Sequence, residues 1–517
     1  MVGFCSYMRR VRGLLGRPLE SHPMSDSHSV AISPLPMAWL RTGACPAPDV
    51  GRLQRLWGLC VALLAAIPSA GLLGGQEPRS SGRPNVLVLF LDDVGLGDLS
   101  CYGATDIATP HLDRVAREGT RFTQFYVASP ICSASRCGLI TGQYPARWRI
   151  HSFLQTRAGN RACGQADYLD PTAPCYVRIF REAGYATAHV GKWHLGGGRD
   201  VTDAPPFAAY GYDVGWGTYE SPQPAAPLGL KTTPWGTQLE PQQVPRHDRT
   251  RWMVDQTLAF IRQHAQQPWL VNLWLDDLHT PFRPSPEQRL RVGTAGPRPV
   301  EYRAVLQEMD RQIGRLLDGL AEMGQDERTL LIVAGDNGPE PTYERRRTLG
   351  LRGMKWSLYE GGIRTPLLVR WKGALPAGVV NSTTVIAAID LFPTLVALAK
   401  LPQPDSVRFD GENVASAFSG QMPRRTTPLF WQYGRPNDEP TTGPVQGFPY
   451  PREPLARSPV LAVRHGDWKL LMNPDGSAAE LYDLAHDPRE ENNLAPMRPE
   501  VVSRLADLLT AWRKTLP

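Results

Sequence analysis

The run Cys132-Ser133-Ala134-Ser135-Arg136 places a thiol and a guanidinium four residues apart, just after a short apolar strand. It reads as the first turn of a helix over 133–140, and at i, i+4 the two side chains share one face. The helix N-terminus adds backbone N–H donors and the positive end of a dipole. A nucleophile, a fixed cation and an anion-binding terminus within one turn are what a reaction at a tetrahedral oxyanion centre requires. By itself the run reads more readily as a buried structural cysteine beside a surface arginine. Its meaning depends on what the rest of the chain brings to it.

Polar residues recur directly after apolar runs of strand length. Asp92-Asp93 follow 85–91 and enter a glycine turn (Gly95, Gly97), Cys132 follows 121–128, and Lys192 and His194 follow 186–190. His279-Thr280-Pro281 follow 269–275, Asp336-Asn337-Gly338 follow 329–334, and Lys355 precedes the loop Glu360-Gly361-Gly362. Ligands of open α/β sheets bind outside the carboxyl ends of the strands, so adjacent parallel strands would gather these groups in one cleft. Two neighbouring carboxylates at a buried strand end repel unless a cation lies between them. With Asp336 and Asn337 they make four oxygen-donor side chains, a set that suits Ca²⁺, or Mg²⁺ second, better than zinc. Asp276-Asp277 also follow a strand but lack the glycine turn; they rank below as ligands and are placed to touch substrate. Each motif alone reads as a turn, a cap or a solvated loop residue, and only their joint placement is specific.

The elements that must position these groups alternate. Helices are expected over 110–118, 174–183, 252–266, 300–323 and 389–399, and a further strand over 365–371. This order predicts an α/β fold with a large, mostly parallel sheet flanked by helices. Beyond Pro402 short apolar stretches (428–432, 459–463, 468–471) alternate with turns and a helix spans 500–514, giving a smaller C-terminal antiparallel sheet plus helix. The expected organisation is an unstructured leader (1–51), a signal peptide (52–70), a linker (71–83), a catalytic domain (84–401) and a C-terminal subdomain (402–517).

The signal assignment rests on Arg52 and Arg55, an apolar run 56–67 too short to span a bilayer, and Pro68-Ser69-Ala70-Gly71. It predicts export, periplasmic or secreted, with no stable membrane insertion after cleavage. Net charge is +6 with arginines scattered, which suits acidic substrates and gives no basic stripe for nucleic acid. Of 8 cysteines, Cys5, Cys45 and Cys60 precede the catalytic domain. Cys101, Cys132, Cys137, Cys163 and Cys175 are too few for a disulfide framework. Cys163 and Cys175 bracket one loop, and their pairing stays open; Cys137 reads as core. Asn381-Ser382-Thr383 is a glycosylation sequon in a host that glycosylates.

These motifs resemble the type I sulfatases of the alkaline-phosphatase-like superfamily, over about 84–493. The resemblance rests on Leu91-Asp92-Asp93, Cys132 to Arg136 with Leu139-Ile140-Thr141-Gly142, Gly191 to Gly196, His279-Thr280-Pro281, Gly335 to Gly338, the 355–366 segment, Trp468-Lys469-Leu470 and Glu480 to Leu484. It implies that a formylglycine-generating maturation enzyme oxidises Cys132 to an aldehyde, whose hydrate attacks sulfur and then collapses to release sulfate. It further implies that Asp92, Asp93, Asp336 and Asn337, with the modified Cys132, hold one calcium. Arg136 and Lys192 would steady the diol, His194 would take the proton that triggers release, and His279 and Lys355 would bind sulfate oxygens and assist the leaving oxygen. The implied substrate is a sulfated small molecule or carbohydrate. Ala134 stands where the modification motif usually has proline, which leaves open which maturation enzyme acts. A phosphate or phosphonate esterase on the same fold, and an inert carbohydrate-binding homologue, are the alternatives.

Overall fold

The first strand, β1 (Asn85–Leu91), is buried along its whole length and divides its side chains between two cores. Val86, Val88 and Phe90 enter one, Leu87, Leu89 and Leu91 the other. A continuous apolar run behaves this way only inside a sheet covered on both faces. The computed structural model describes residues 82–218, 244–404, 406–434 and 449–517. The expected leader and signal peptide, nearly all of the linker, and residues 219–243 lie outside the described residues.

Eight more strands join β1: β2 (Thr120–Tyr126), β3 (Ala186–Gly191), β4 (Val214–Gly217), β5 (Trp269–Leu275), β6 (Thr329–Gly335), β7 (Arg364–Arg370), β8 (Val379–Asn381) and β9 (Ile386–Ala387). Their order is β4-β3-β5-β1-β6-β7-β2-β8, with β9 paired to β2. Every pairing is parallel except the two made by β7, with β6 and with β2. The sheet is therefore mostly parallel, as expected, with one reversed strand. The reversal has a cause. Between β6 and β7 the chain forms a short 3₁₀ stretch and the four-residue helix Glu360–Ile363, with no long helix to carry it across a face, and it turns back at the same edge.

Helices cover both faces. Helix α1 (Pro110–Arg117), Arg249–Gln263 and Val300–Glu322 pack on the core containing Leu87; α2 (Cys132–Thr141), Tyr176–Glu182 and Leu391–Leu398 pack on the other. Val300–Glu322 buries Tyr302, Leu306, Met309, Ile313, Leu316, Leu317 and Leu320, the three-and-four spacing of one helical face. Gly324, in the left-handed region at φ +66, ends it.

The second sheet is an antiparallel meander of β10 (Leu429–Gln432), β11 (Leu461–His465), β12 (Trp468–Met472) and β13 (Glu480–Asp483). Helix Pro499–Arg513 lays Leu505, Leu509 and Trp512 on it, and Trp512 stacks on Phe430 at 5.1 Å. Both sheets share one apolar core, and an ion cluster crosses their seam. Lys469 Nζ lies 3.0 Å from Glu360 and 2.8 Å from Glu490, while the Glu360 N–H donates to Glu490 at 2.6 Å.

Two open readings resolve here. No disulfide joins Cys163 and Cys175: Cys163 Sγ accepts from Gln155 at 3.4 Å and Cys175 Sγ donates to Tyr210 O at 3.1 Å. The sequon asparagine Asn381 is 1% exposed and its amide donates to Thr384 Oγ1 and Gln421 O, so it holds a turn and is closed to glycan attachment in the folded chain.

Candidate active site

The carboxyl ends of β1 and β6 lie side by side, and the ladder runs one residue further on each: Asp92 N–H donates to Leu275 O and Asp336 N–H to Leu91 O, both at 3.0 Å. Asp93 then turns into the left-handed region at φ 56, which Asp tolerates better than most residues, and its N–H donates to Asp336 Oδ1 at 3.0 Å. Asn337 Nδ2 donates to Asp93 Oδ1 at 2.6 Å. Asp92, Asp93, Asp336 and Asn337 thus meet in one buried cluster.

Three cations enter it from three directions. Arg136, one turn into α2, bridges Asp336 Oδ2 at 2.7 Å and Asp92 Oδ1 at 3.3 Å and donates to Lys192 O. Its guanidinium lies over the Trp274 and Phe90 rings. Lys192 Nζ, just past β3, is 2.6 Å from Asp92 Oδ2. Lys355 Nζ is 2.7 Å from Asp93 Oδ2, brought there because the reversal of β7 returns its approach segment to the edge where the parallel strands end. Cys132 opens α2 at 2% exposure, and Asp92, Asp93 and Cys132 offer ligand atoms within 4.8 Å of one another.

His279, past β5, completes the far wall. Its Nδ1 is 2.9 Å from Thr280 O, a pure acceptor, so the ring proton sits on Nδ1 in that contact; Nε2 is 4.0 Å from Asp93 Oδ2. His194 Nε2 likewise contacts Leu154 O at 3.2 Å, which leaves its Nδ1 as the basic nitrogen. Every residue singled out for chemistry in the sequence is therefore gathered at one sheet edge, except the rival pair. Asp276 is held by Arg246 and Arg249, and Asp277 accepts from Thr250 Oγ1. Cys137 is fully buried in core.

Two residues went unnoticed in the sequence. Glu340, three past Asn337, accepts from the Thr280 N–H at 3.2 Å, and its Oε1 lies 3.6 Å from Lys355 Nζ and 3.8 Å from His279 Nε2. Its signal was a carboxylate closely following the Asp336-Asn337-Gly338 turn. Arg246 donates to Asp276 O at 2.7 Å and His279 O at 2.9 Å, clamping the turn that carries His279; nothing in its own sequence neighbourhood marks it.

Burial governs the protonation states. It pushes the Cys132 thiol up to about 12 against the pull of Lys192 and Lys355. It drives His279 down to about 3, reinforced by Lys355 and Lys192, and His194 well below its usual range, so both rings are neutral at pH 7. Burial opposes charge on Asp92 as well, but Lys192 and Arg136 overcome it and hold this carboxyl low. Burial, then Asp92 repulsion, raises Asp336.

The donor set fits a hard divalent cation. Three buried carboxylates crowd together, and Asn337 Oδ1 is buried with no hydrogen-bond donor in reach among the described residues. An ion held by oxygens would satisfy that atom and relieve the repulsion on Asp336.

A family model for Sulfatase matches residues 84–401, and one described as N-sulphoglucosamine sulphohydrolase, C-terminal, matches 354–515. The N-acetylgalactosamine-6-O-sulfatase of Bacteroides thetaiotaomicron is 30% identical over 538 aligned positions, which cover 86% of this chain and 98% of that protein. Human arylsulfatase A is 30% identical, with 82% of this chain and 87% of that protein covered. A solved B. thetaiotaomicron structure, described under metabolism of multiple glycosaminoglycans, superposes with a TM-score of 0.67 at 26% identity, covering 84% of this chain and 100% of that one.

Proposed function

The chain belongs to the type I sulfatase family and is a sulfatase, and from that premise we propose that it is an exported enzyme that removes sulfate from sulfated carbohydrate with a formylglycine made from Cys132 and one calcium ion. The observation that carries this reading is the meeting of Lys192 and Lys355, each within 2.7 Å of one of two adjacent carboxylates, around a buried residue 132. The sugar-sulfatase relatives support the substrate class.

Asp92, Asp93, Asp336 and Asn337, with residue 132, would hold the ion. When present, formylglycine supplies an oxygen nucleophile that can release its own ester, and calcium supplies a charge against which sulfate oxygens lie. The unmodified thiol suits the task poorly: pushed up to about 12, about one in 10⁵ is thiolate at pH 7. Arg136 fixes the spacing of Asp92 and Asp336, and Lys192 holds Asp92 ionised. Lys355 Nζ and His279 Nε2 line the wall where sulfate oxygens would gather charge; pre-placed cations of this kind are the largest stabilising contribution in such reactions. His279 begins neutral, so the substrate's own negative charge is what would favour a proton on Nε2 for the leaving oxygen. His194 Nδ1 is the base assigned to the release step.

A two-metal phosphatase, one form of the phosphate-ester alternative, would draw on a second ion. Asp93, His279 and Glu340 are the described residues close enough to hold one, but the Lys355 ammonium already lies 2.7 Å from Asp93 and 3.6 Å from Glu340. That argues against a two-metal phosphatase, and the substrate panel separates sulfate from phosphorus esters handled by the same residues. Mass spectrometry of the peptide carrying residue 132, on protein from its native host, together with sulfate release from a panel of sulfated sugars, tests the proposal. The expected result is an aldehyde at 132 in active protein and no turnover by Cys132→Ala. Full activity with an intact thiol would overturn it.

A further inference from the structure

Glu340 is the fourth carboxylate of the site, and it stands where a charge works against the substrate. Asp92, Asp93 and Asp336 are matched by Arg136, Lys192 and Lys355, each at 2.7 Å or less from one of them. Among the described residues Glu340 has no such partner of its own. Its Oε2 accepts from the Thr280 N–H at 3.2 Å, and its Oε1 shares Lys355 at 3.6 Å and approaches His279 Nε2 at 3.8 Å. It is 8% exposed, between the two groups assigned above to sulfate oxygens.

We infer that Glu340 is a specificity-determining residue, whose fixed negative charge beside Lys355 and His279 lets the site accept the single charge of a sulfate monoester and reject the double charge of a phosphate monoester. The inference rests on the reading of Lys355 and His279 as the sulfate wall. The two esters have the same tetrahedral shape, so a site built on shape alone would not separate them. They differ in charge: a sulfate ester carries one negative charge at any physiological pH, and a phosphate monoester loses its second proton at about pH 6. An added charge within a few ångströms of a buried carboxylate is strongly disfavoured, because a protein interior screens far less than water. A bound divalent ion would attract both esters and leaves the difference made by Glu340 in place. Rejection by an unfavourable charge is a general route to specificity.

The test is calorimetric binding of 4-nitrophenyl sulfate and 4-nitrophenyl phosphate at pH 7.5 to the full-length Cys132→Ala protein, with and without Glu340→Gln. Glutamine keeps an acceptor for the Thr280 N–H and removes the charge. The expected result is a fall of about 10- to 100-fold in the preference for sulfate over phosphate, with most of the preference restored in Glu340→Asp. A second readout is pH: phosphate binding to Cys132→Ala weakens as pH rises through about 6, and Glu340→Gln flattens that decline. A preference unmoved by Glu340→Gln, with both affinities falling together, would show that Glu340 only holds the wall in shape and would overturn the inference. Because no turnover is needed, this outcome is distinct from failure of the sulfatase mechanism, which would appear as inactive protein bearing an aldehyde at 132.

Discussion

Lys355 shows how much one side chain does here. Burial opposes its charge, yet Asp93 and Glu340 hold it protonated, and it joins the carboxylate cluster, at Asp93, to the His279 wall, at Glu340. Lys355→Ala is expected to lower kcat/KM on an aryl sulfate by roughly 10²- to 10³-fold; a loss below tenfold in steady-state assays would remove it from contact with the reacting group. The oxygen cluster makes a second prediction. A strong chelator should abolish activity and lower Tm, and calcium should restore both better than magnesium, because removing the ion leaves three buried carboxylates facing one another. Thermal melts with and without chelator read this directly. The cluster residues were legible because strand ends are legible: Asp92-Asp93 and Asp336-Asn337 each terminate an apolar run. Glu340 was not, since its role comes from His279 and Lys355, which reach it from 61 residues before and 15 after in the sequence.

At the scale of elements, the site depends on how closely β3 approaches β5. Gly191, at φ +109, has no room for a side chain: a Cβ there would lie 2.0 Å from Trp274 O. The Lys192 N–H donates to that same carbonyl at 2.9 Å, so the contact that excludes a methyl group is also what aims Lys192. Gly191→Ala should cost several kcal/mol through clash and strained φ, read as a large fall in Tm or in soluble yield; a normal melt would mean that β3 can shift without harm. The six strands anticipated in the main sheet were correctly located, most of them because they are continuous apolar runs. The direction of β7 was not legible, since an apolar run looks the same read either way and only the length and content of its connection decides. The short strands β4, β8 and β9 carry too few residues for any periodicity to appear.

The whole molecule is held together across the seam where Lys469 meets Glu360 and Glu490. Burial opposes charge on Glu360, but Lys469, Arg364 and Arg464 pull it from its ordinary 4.5 down to about 2, whereas burial and then Glu360 repulsion raise Glu490 from 4.5 to about 7. The signs are opposite. Glu490 binds its proton more tightly folded than unfolded, so its contribution is complete below pH 4.5 and is lost as pH rises toward 7. Glu360 contributes fully above 4.5 and loses this as pH falls toward 2. The seam should therefore be strongest near pH 4.5, and Glu490→Gln should weaken the decline in Tm between about pH 5 and 7.5; identical slopes for the two proteins would exclude the cluster as the cause. Trp512→Ala, which empties the stack on Phe430, should cost about 3–5 kcal/mol in denaturant melts. The enclosure of residue 132 has a consequence in time. At 2% exposure it is out of reach of any second protein's catalytic groups, so the proposed conversion would have to take place on the nascent or unfolded polypeptide, before the sheet edge closes. On that proposal, a chain that wins the race and folds first would be trapped as a stable, well-formed molecule that never becomes an enzyme.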